Sequence, residues 1–264
     1  MKPTLTLGII GGNGWLGSAL GRSVLTSRLI APNQLVVTAS RQHNRYQDWP
    51  GVTCVESADA LQEVADIVVV SVRPDQFSLL TLSLENRLVI SLMAKVPIAA
   101  LAQATGSDRV VRAMPNAAAA IGQSYTPWCA SQTVSQDERD FVQRLFSACG
   151  VSDEVNAESQ IDYLTALSGS GPAFPALLAD ALIRHAVSRG ITPEMAQRSV
   201  LQTLLGGSQL MLEERASPSD MIARFQDYGG TTTEGLNTML QHGFREAVYS
   251  GVDAAHRAAT SKPN

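Results

Sequence analysis

The first half of the chain alternates short apolar runs with segments in which apolar residues recur every three or four positions. The short runs predict buried strands, because they are rich in Val, Ile and Leu and lie between turn or polar residues. They are Leu5–Ile10, Gln34–Ala39, Asp66–Val72, Arg87–Leu92 and Asp108–Met114. The periodic segments predict helices over Leu16–Ser27, Ala58–Ala65 and Pro97–Thr105. This alternation predicts a mostly parallel sheet with helices on both faces.

The pattern changes after about residue 150, where strand-like runs end and helical segments follow one another. The predicted helices are Ser159–Leu167, Gly171–Arg189, Pro193–Glu214, Ser219–Arg224, Thr231–Gln241 and Arg245–Ala259. We therefore expect an α/β domain over 1–155 and an all-helical domain over 156–264.

A glycine-rich turn connects the first predicted strand to the first predicted helix. Gly12, Gly14 and Gly17 give the pattern G-x-G-x-x-G. This pattern suits a tight turn, a close backbone approach to a pyrophosphate and a helix N-terminus that faces the phosphates. It predicts a Rossmann-like domain whose dinucleotide site includes Gly12, Asn13, Gly14, Trp15, Leu16 and Gly17. The alternative is a glycine-rich turn that binds nothing.

The end of the second predicted strand indicates which dinucleotide is bound. It continues into Ser40 and Arg41 and has no acidic residue before Asp48. A carboxylate there would bind the ribose 2′-hydroxyl of NAD, whereas a hydroxyl followed by a guanidinium suits a 2′-phosphate. Ser40 and Arg41 therefore favour NADPH, with NADH as a possible second cofactor. Alternatively, Arg41 and Arg45 belong to a solvated loop.

Two further segments follow predicted strands and so lie at the carboxyl edge of the sheet, where open α/β folds bind ligands. We expect Val72, Arg73 and Pro74 to line the cofactor cleft, and Asn116 to lie near the nicotinamide or the substrate. The alternatives are that Pro74 only ends a strand and that Asn116 is an ordinary turn residue.

The composition is that of a globular protein, with 45% hydrophobic and 17% charged residues. A net charge of −4 gives no general attraction to nucleic acid or to anionic membranes. Cys54, Cys129 and Cys149 are widely spaced and lack metal-ligand spacing, so we expect reduced thiols and no metal site. We find no signal-peptide pattern and no continuous apolar run of about 18–20 residues, and we expect a soluble, cytoplasmic protein.

Five segments together resemble the Δ1-pyrroline-5-carboxylate reductase family, and the resemblance covers nearly the whole chain. They are the glycine-rich turn, Ser71-Val72-Arg73-Pro74, the run from Arg112 to Asn116, the run from Thr165 to Phe174, and Gly229-Gly230-Thr231-Thr232. The last two are the most specific, because they occur in order and at suitable spacing in the helical half.

The resemblance implies an NADPH-dependent oxidoreductase that reduces 1-pyrroline-5-carboxylate to L-proline, the last step of proline biosynthesis. It implies hydride transfer from the nicotinamide to a cyclic C=N bond, in a cleft between a Rossmann domain and a helical domain that dimerises. By position, Thr232 matches the family's threonine that contacts the ring nitrogen, and we assign it the catalytic role. Glu213 matches an acidic residue shortly before the glycine-threonine segment, and we expect it near the cofactor.

The residues themselves agree with this assignment. A pyrroline carboxylate needs an anion-binding group and a hydrogen-bonding group near its nitrogen. Gly229 and Gly230 allow N–H groups to converge at a helix N-terminus, and the hydroxyls of Thr231 and Thr232 donate or accept hydrogen bonds. The alternative is that this segment only caps a helix.

The chain departs from the family pattern at three places: the first two concern cofactor contacts, and the third leaves the substrate open. The first turn has one extra residue, Ala58 replaces an asparagine, and Asp227-Tyr228 replaces Ser-Pro before the glycines. If Asp227 lies about 4 Å from a substrate carboxylate in a partly buried site, the repulsion is roughly 4 kcal/mol. Loss of the proline also predicts a less preorganised loop. Two alternatives follow: an imine reductase for a different small cyclic imine, and a catalytically silent protein that binds NADPH.

Overall fold

The computed structural model describes residues 5–39 and 45–261, and an eight-stranded sheet dominates the N-terminal half. Its strands are β1 (Leu7–Ile10), β2 (Leu35–Thr38), β3 (Thr53–Val55), β4 (Ile67–Val70), β5 (Leu88–Ser91), β6 (Val110–Ala113), β7 (Ser124–Ala130) and β8 (Gly150–Glu154). The spatial order is β3-β2-β1-β4-β5-β6-β7-β8. Neighbouring strands are parallel except β6 and β7. The predicted fold class is confirmed for the sheet.

The central strands are buried on both faces, because helices cover both sides of the sheet. Side chains alternate between the two faces of a strand. In β4, Ile67 and Val69 pack into one core cluster, and Val68 and Val70 pack into the other. Continuous apolar runs in the sequence are therefore explained by two cores that share one sheet.

The helices associated with the sheet are short. They are α1 (Trp15–Thr26), α2 (Ala58–Gln62), α3 (Pro74–Phe77), α4 (Ile98–Thr105), α5 (Gln136–Ser147) and α6 (Glu158–Leu164), together with 3-10 helices at Pro32–Gln34 and Ala117–Ile121. A π-helical turn, Thr165–Gly169, directly follows α6. Helix α5 was missed in the sequence, although Ser135 and Glu138 form a capping box at its start.

Long helices make up the remaining chain, as predicted. They are α7 (Ala173–Ser188), α8 (Pro193–Glu214), α9 (Pro218–Tyr228), α10 (Thr231–Gln241) and α11 (Phe244–Thr260). The described residues form two compact units, one over 5–170 together with 255–261, the other over 171–254. The boundary expected near residue 155 stays a prediction.

The expected loop before Gly229 is wrong, because α9 extends to Tyr228. Asp227 and Tyr228 form the last turn of this helix, and only two residues separate α9 from α10. Ser217 caps the start of α9 by accepting a hydrogen bond from the Asp220 N–H, and Pro218 occupies the first helical position. The Asp227-Tyr228 backbone is thus held by helical geometry without the proline.

Three strands were missed because their sequences lack a buried apolar run. Strand β3 is short and mostly exposed, β7 contains Pro127, and β8 is mostly polar at the edge of the sheet. A proline normally argues against a central strand. In β7, the carbonyl of Pro127 still accepts a hydrogen bond from the Met114 N–H, at 3.0 Å.

One helical stretch in the described part of the chain, Glu158–Ser188, is long and apolar enough to cross a membrane by length and composition alone. Only 11% of its most apolar window is buried within the chain. Polar residues interrupt this stretch, so it contains no continuous apolar run of membrane-spanning length.

Candidate functional site

A cavity of about 900 Å³ lies at the carboxyl edge of the sheet, within the range of small-molecule and cofactor sites. The glycine-rich turn contributes Gly11, Gly14, Trp15 and Leu16 to its lining. The end of β4 contributes Ser71, Val72 and Arg73. Further lining residues that the sequence analysis did not select include Thr38, Glu56, Ser57, Asp59, Gln76 and Thr81. Two predicted segments thus meet in one cavity.

The glycine-rich turn is shaped by contacts that exclude larger residues. A Cβ on Gly12 would lie 2.6 Å from the Cβ of Val37, and one on Gly17 would lie 2.4 Å from the Gly11 carbonyl oxygen. Gly11, which was not predicted, has a φ of 82° and lies against the Ser71 backbone. Gly14, by contrast, lines the cavity at the N-cap of α1. Gly12 and Gly17 are therefore needed for packing, and Gly14 faces the space for a ligand.

The remaining predicted residues of this turn differ in position. Trp15, at the first position of α1, is 65% exposed and lines the cavity with Leu16. The Asn13 side chain accepts a hydrogen bond from the Arg45 N–H at 3.5 Å. Ser40 and Arg41 lie outside the described residues, so their assignment to the 2′-phosphate stays a prediction.

At the β4 edge, the Arg73 side chain is exposed and lies 3.1 Å from the Asp75 carboxylate. Pro74 begins α3, where its missing N–H costs nothing. Ala58, which replaces the family's asparagine, also lines the cavity.

Asn116 lies at the end of β6 and is almost fully buried. Its side-chain NH₂ group donates to the Ser168 carbonyl at 2.9 Å, and its side-chain oxygen accepts from the Ala118 N–H at 2.9 Å. A Cβ on Gly169 would lie 3.1 Å from Met114, so this glycine lets the π-helical turn approach β6 closely. The Asn116 amide thus holds together two of the motif segments, and its assignment to the cofactor stays a prediction.

The glycine-threonine segment begins α10. Gly229 and Gly230 have φ of 78° and 82° with ψ of −171° and −152°, a region that is essentially restricted to glycine. Nothing lies within 4 Å of a Cβ at either position, so backbone conformation rather than crowding requires glycine.

The threonines of this segment divide into two groups. Thr233 donates to the carbonyls of Phe225 and Gln226 at 3.2 and 3.3 Å, which ties α10 to the end of α9. Thr231 and Thr232 are exposed, and the N-cap residue of α10, Gly230, has no side chain that could cap the helix. The first turn of α10 is therefore available for an anion and for hydrogen bonds from two hydroxyls.

The acidic residues predicted for the site are exposed. Asp227 is exposed in the last turn of α9, and Tyr228 is 92% exposed. Glu213 is exposed in the last turn of α8, beside Glu214, which binds Arg224 at 2.7 Å. The roles of Glu213 and Asp227 stay predictions.

Comparison with known proteins identifies the family. A model described as pyrroline-5-carboxylate reductase dimerisation matches residues 158–262, and one described as NADP oxidoreductase coenzyme F420-dependent matches residues 6–95. The pyrroline-5-carboxylate reductase of Synechocystis is 32% identical over 96% of this chain and 97% of its own length. This chain belongs to the pyrroline-5-carboxylate reductase family.

Solved structures of pyrroline-5-carboxylate reductases agree. The enzyme from Coxiella burnetii superimposes with a TM-score of 0.89 at 29% identity, over 98% of this chain and 100% of its own. The enzyme from Plasmodium falciparum, solved with NADP bound, gives a TM-score of 0.86 at 26% identity, over 97% of both chains. The resemblance inferred from five sequence segments is confirmed, and so is the fold class.

Two residues to which the motifs assigned no role, Arg112 and Tyr46, are prominent in the structure of this family member. The guanidinium of Arg112 is buried and pairs with Glu158 and Asp162, at 3.1 and 2.6 Å. The hydroxyl of Tyr46 is buried against the glycine-rich turn. No local sequence pattern indicates either contact, because the partners lie far apart in the chain. Within the described residues, no cluster of His, Cys, Asp and Glu could hold a metal ion.

Proposed function

We propose that this protein reduces 1-pyrroline-5-carboxylate to L-proline with NADPH. The observation that carries the proposal is the family relationship, which extends over nearly the whole chain. A cavity of about 900 Å³ beside the glycine-rich turn supports it. No nucleophilic or metal-dependent machinery is required, because the reduction is a hydride transfer that the protein orients.

The turn fits a dinucleotide. Gly14, at the N-cap of α1, lines the cavity, and a helix N-terminus favours negative charge. Trp15, Val72 and Arg73 line the same space. These residues would hold NADPH, which supplies the hydride when bound, and NADH is the second cofactor expected.

The substrate would bind at the start of α10. Gly229 and Gly230 give the chain a conformation that exposes the first N–H groups of the helix, which suit a carboxylate. Thr232 offers a hydroxyl to the ring nitrogen and stands as the proposed catalytic residue, with Asp227 and Thr231 at the margin of the site.

We further propose that the protein is a cytoplasmic homodimer or an oligomer of dimers. The dimerisation match covers residues 158–262, and the apolar stretch Glu158–Ser188 is mostly unburied within one chain. A second copy would cover this apolar surface. The partner is therefore another copy of this chain, and the acidic net charge gives no support to nucleic-acid or membrane binding.

The test is oxidation of NADPH, followed by absorbance, with 1-pyrroline-5-carboxylate as the substrate. Thr232→Val should lower kcat/KM at least tenfold and leave NADPH affinity unchanged, because a side-chain hydrogen bond to a charged group is worth about 1.5–3 kcal/mol. Thr238→Val, an exposed position in the same helix, is the control and should behave like the wild type. No turnover with either NADPH or NADH would refute the proposal.

The second candidate function is reduction of a different cyclic imine, and Asp227 is the observation that favours it. A carboxylate in the last turn of α9 still repels an anionic substrate, although water and salt at this exposed position reduce the repulsion below that of a buried arrangement. Rates with 1-pyrroline and with 1-pyrroline-5-carboxylate separate the two functions. If Asp227 acts on the substrate carboxylate, Asp227→Ser lowers KM only for the carboxylated imine. Tight NADPH binding without turnover of any imine would instead indicate a silent homologue.

A further inference from the structure

Tyr46 makes a buried polar contact with the glycine-rich turn. Its side chain is 1% exposed, and its hydroxyl donates to the Gly12 carbonyl at 2.9 Å and lies 3.4 Å from the Gly17 carbonyl. Gly12 is part of the turn, and Gly17 is in the first turn of α1. One phenol thus contacts both parts of the predicted pyrophosphate site, and neither Tyr46 nor Gly12 is among the residues that line the cavity.

A second side chain holds the neighbouring residue. The Gly11 N–H donates to the Thr38 hydroxyl at 2.7 Å, at the end of β2. Two successive residues of the turn, Gly11 and Gly12, are therefore fixed by side chains from elsewhere in the sheet domain. Because the C=O and N–H of a trans peptide point in opposite directions, the Tyr46 hydrogen bond also fixes the direction of the Asn13 N–H.

The fold makes room for this phenol. A Cβ on Gly21, in the second turn of α1, would lie 2.3 Å from the Tyr46 oxygen and 2.9 Å from a ring carbon. Burial raises the pKa of Tyr46, with a smaller contribution from Cys54, so the hydroxyl remains a donor throughout the neutral and mildly alkaline range. A glycine in the middle of a helix costs stability. At position 21 a larger residue would collide with the Tyr46 ring, which explains the glycine.

We propose that Tyr46 is a positioning residue for the cofactor, which acts through the Gly12 carbonyl to hold the glycine-rich turn in the shape that binds the pyrophosphate. This inference rests on the proposed function, because it requires a dinucleotide at the turn. The pyrophosphate is common to NADPH and NADH, so Tyr46 would affect the binding of both cofactors equally and would not select between them.

Steady-state kinetics of Tyr46→Phe test the proposal, because the ring remains while the donor is lost. We expect KM for NADPH and KM for NADH to rise by the same factor, roughly two- to tenfold, the effect of one hydrogen bond. We expect kcat and KM for the imine to stay within about twofold. A purely structural role would lower the amount of folded enzyme without this selective change in KM. Tyr125→Phe is the matched control, because it removes a phenol hydroxyl from β7 and should leave both cofactor KM values unchanged.

A second variant reaches the same hydrogen bond from the other side. Gly21→Ala should displace the Tyr46 hydroxyl and also raise both cofactor KM values. The double variant should be less impaired than the product of the two single effects, because both act through one contact. If wild-type protein binds no NADPH, the proposed function and this inference both fail. If the wild type binds NADPH and the KM values of Tyr46→Phe are unchanged, or change for one cofactor alone, only the inference is overturned.

Discussion

The guanidinium of Arg112, on β6, lies 2.6 Å from the carboxylate of Asp162, on α6. The Arg112 side chain is 3% exposed and that of Asp162 is 25% exposed, and a second carboxylate, Glu158, lies 3.1 Å away. Glu158 also accepts the Ile98 N–H at the start of α4 at 2.8 Å. This ionic cluster therefore connects the sheet to α6 and, through it, to the π-helical turn.

Asp162→Asn should lower the free energy of unfolding by about 2 kcal/mol. Breaking a fully buried ion pair costs roughly 3–5 kcal/mol, and this pair is partly exposed and keeps Glu158. Urea unfolding measures the change. Asp75→Asn is the control, because its ion pair with Arg73 is exposed and should be worth about 0.5 kcal/mol or less. Equal effects of the two variants would contradict the structural importance of the Arg112 cluster.

Gly230→Ala should reduce imine turnover while NADPH affinity remains. The φ of 82° and ψ of −152° cost about 1–3 kcal/mol for a residue with a side chain, so the start of α10 would be displaced. Steady-state kinetics should show a loss in kcat/KM for the imine of roughly five- to a hundredfold. Gly235→Ala, inside the same helix with nothing within 4 Å, should leave activity unchanged and stabilise α10 slightly. Wild-type kinetics for Gly230→Ala would rule out a substrate role for this turn.

Gly12→Ala should lower the stability of the protein, whereas Gly14→Ala should weaken NADPH binding. A methyl group on Gly12 would lie 2.6 Å from the Val37 side chain, so we expect a loss of about 1–3 kcal/mol in stability. A methyl group on Gly14 would lie 3.1 Å from the Gly11 carbonyl and faces the cavity, so we expect a folded protein with weaker NADPH binding. Thermal unfolding with and without NADPH separates the two, since a bound ligand raises Tm. If NADPH raises the Tm of Gly14→Ala as much as that of the wild type, the cofactor binds elsewhere.

The three thiols should react with Ellman's reagent at different rates. Cys129 and Cys149 are buried, whereas Cys54 is exposed on β3. Burial raises the pKa of the Cys149 thiol, and desolvation raises the pKa of Cys54 as well. A raised pKa lowers the thiolate fraction at pH 8, so Cys54 should react slowly and the other two only after unfolding. Rapid reaction of three thiols per chain in the native state would contradict this assignment.

The parts of the fold that local patterns determine were predictable. Parallel strands with two buried faces have continuous apolar sequences, which local patterns detect. The glycine-rich turn is recognisable because it lies between a predicted strand and a predicted helix. Strand β7 was not predictable in this way, because Pro127 argues against a strand and its partners come from distant segments. The end of α9 was missed because the family's proline, rather than the helical propensity of Asp227-Tyr228, guided the expectation.

The candidate site likewise contains residues that local motifs indicate and residues that only tertiary packing brings together. Gly14, Trp15, Leu16, Val72 and Arg73 were selected by motif and do line the cavity. Tyr46 contacts Gly12 across 34 positions of sequence, and Asn116 contacts Ser168 across 52. Such contacts follow from tertiary packing, which a single sequence does not display. The relation between Tyr46 and Gly21 is likewise visible only in the structure, where the phenol occupies the space that a side chain at position 21 would fill.

The connection between α9 and α10 has a consequence for how relatives of this protein can diverge. Only Gly229 and Gly230 separate the two helices, and the Thr233 hydroxyl bonds back to the carbonyls of Phe225 and Gln226. An inserted residue would have to break these bonds, whereas substitutions of the two residues directly before the glycines leave them intact. Relatives can therefore vary at positions 227 and 228 while the length of this connection stays constant, so its diversity would arise by substitution and not by insertion.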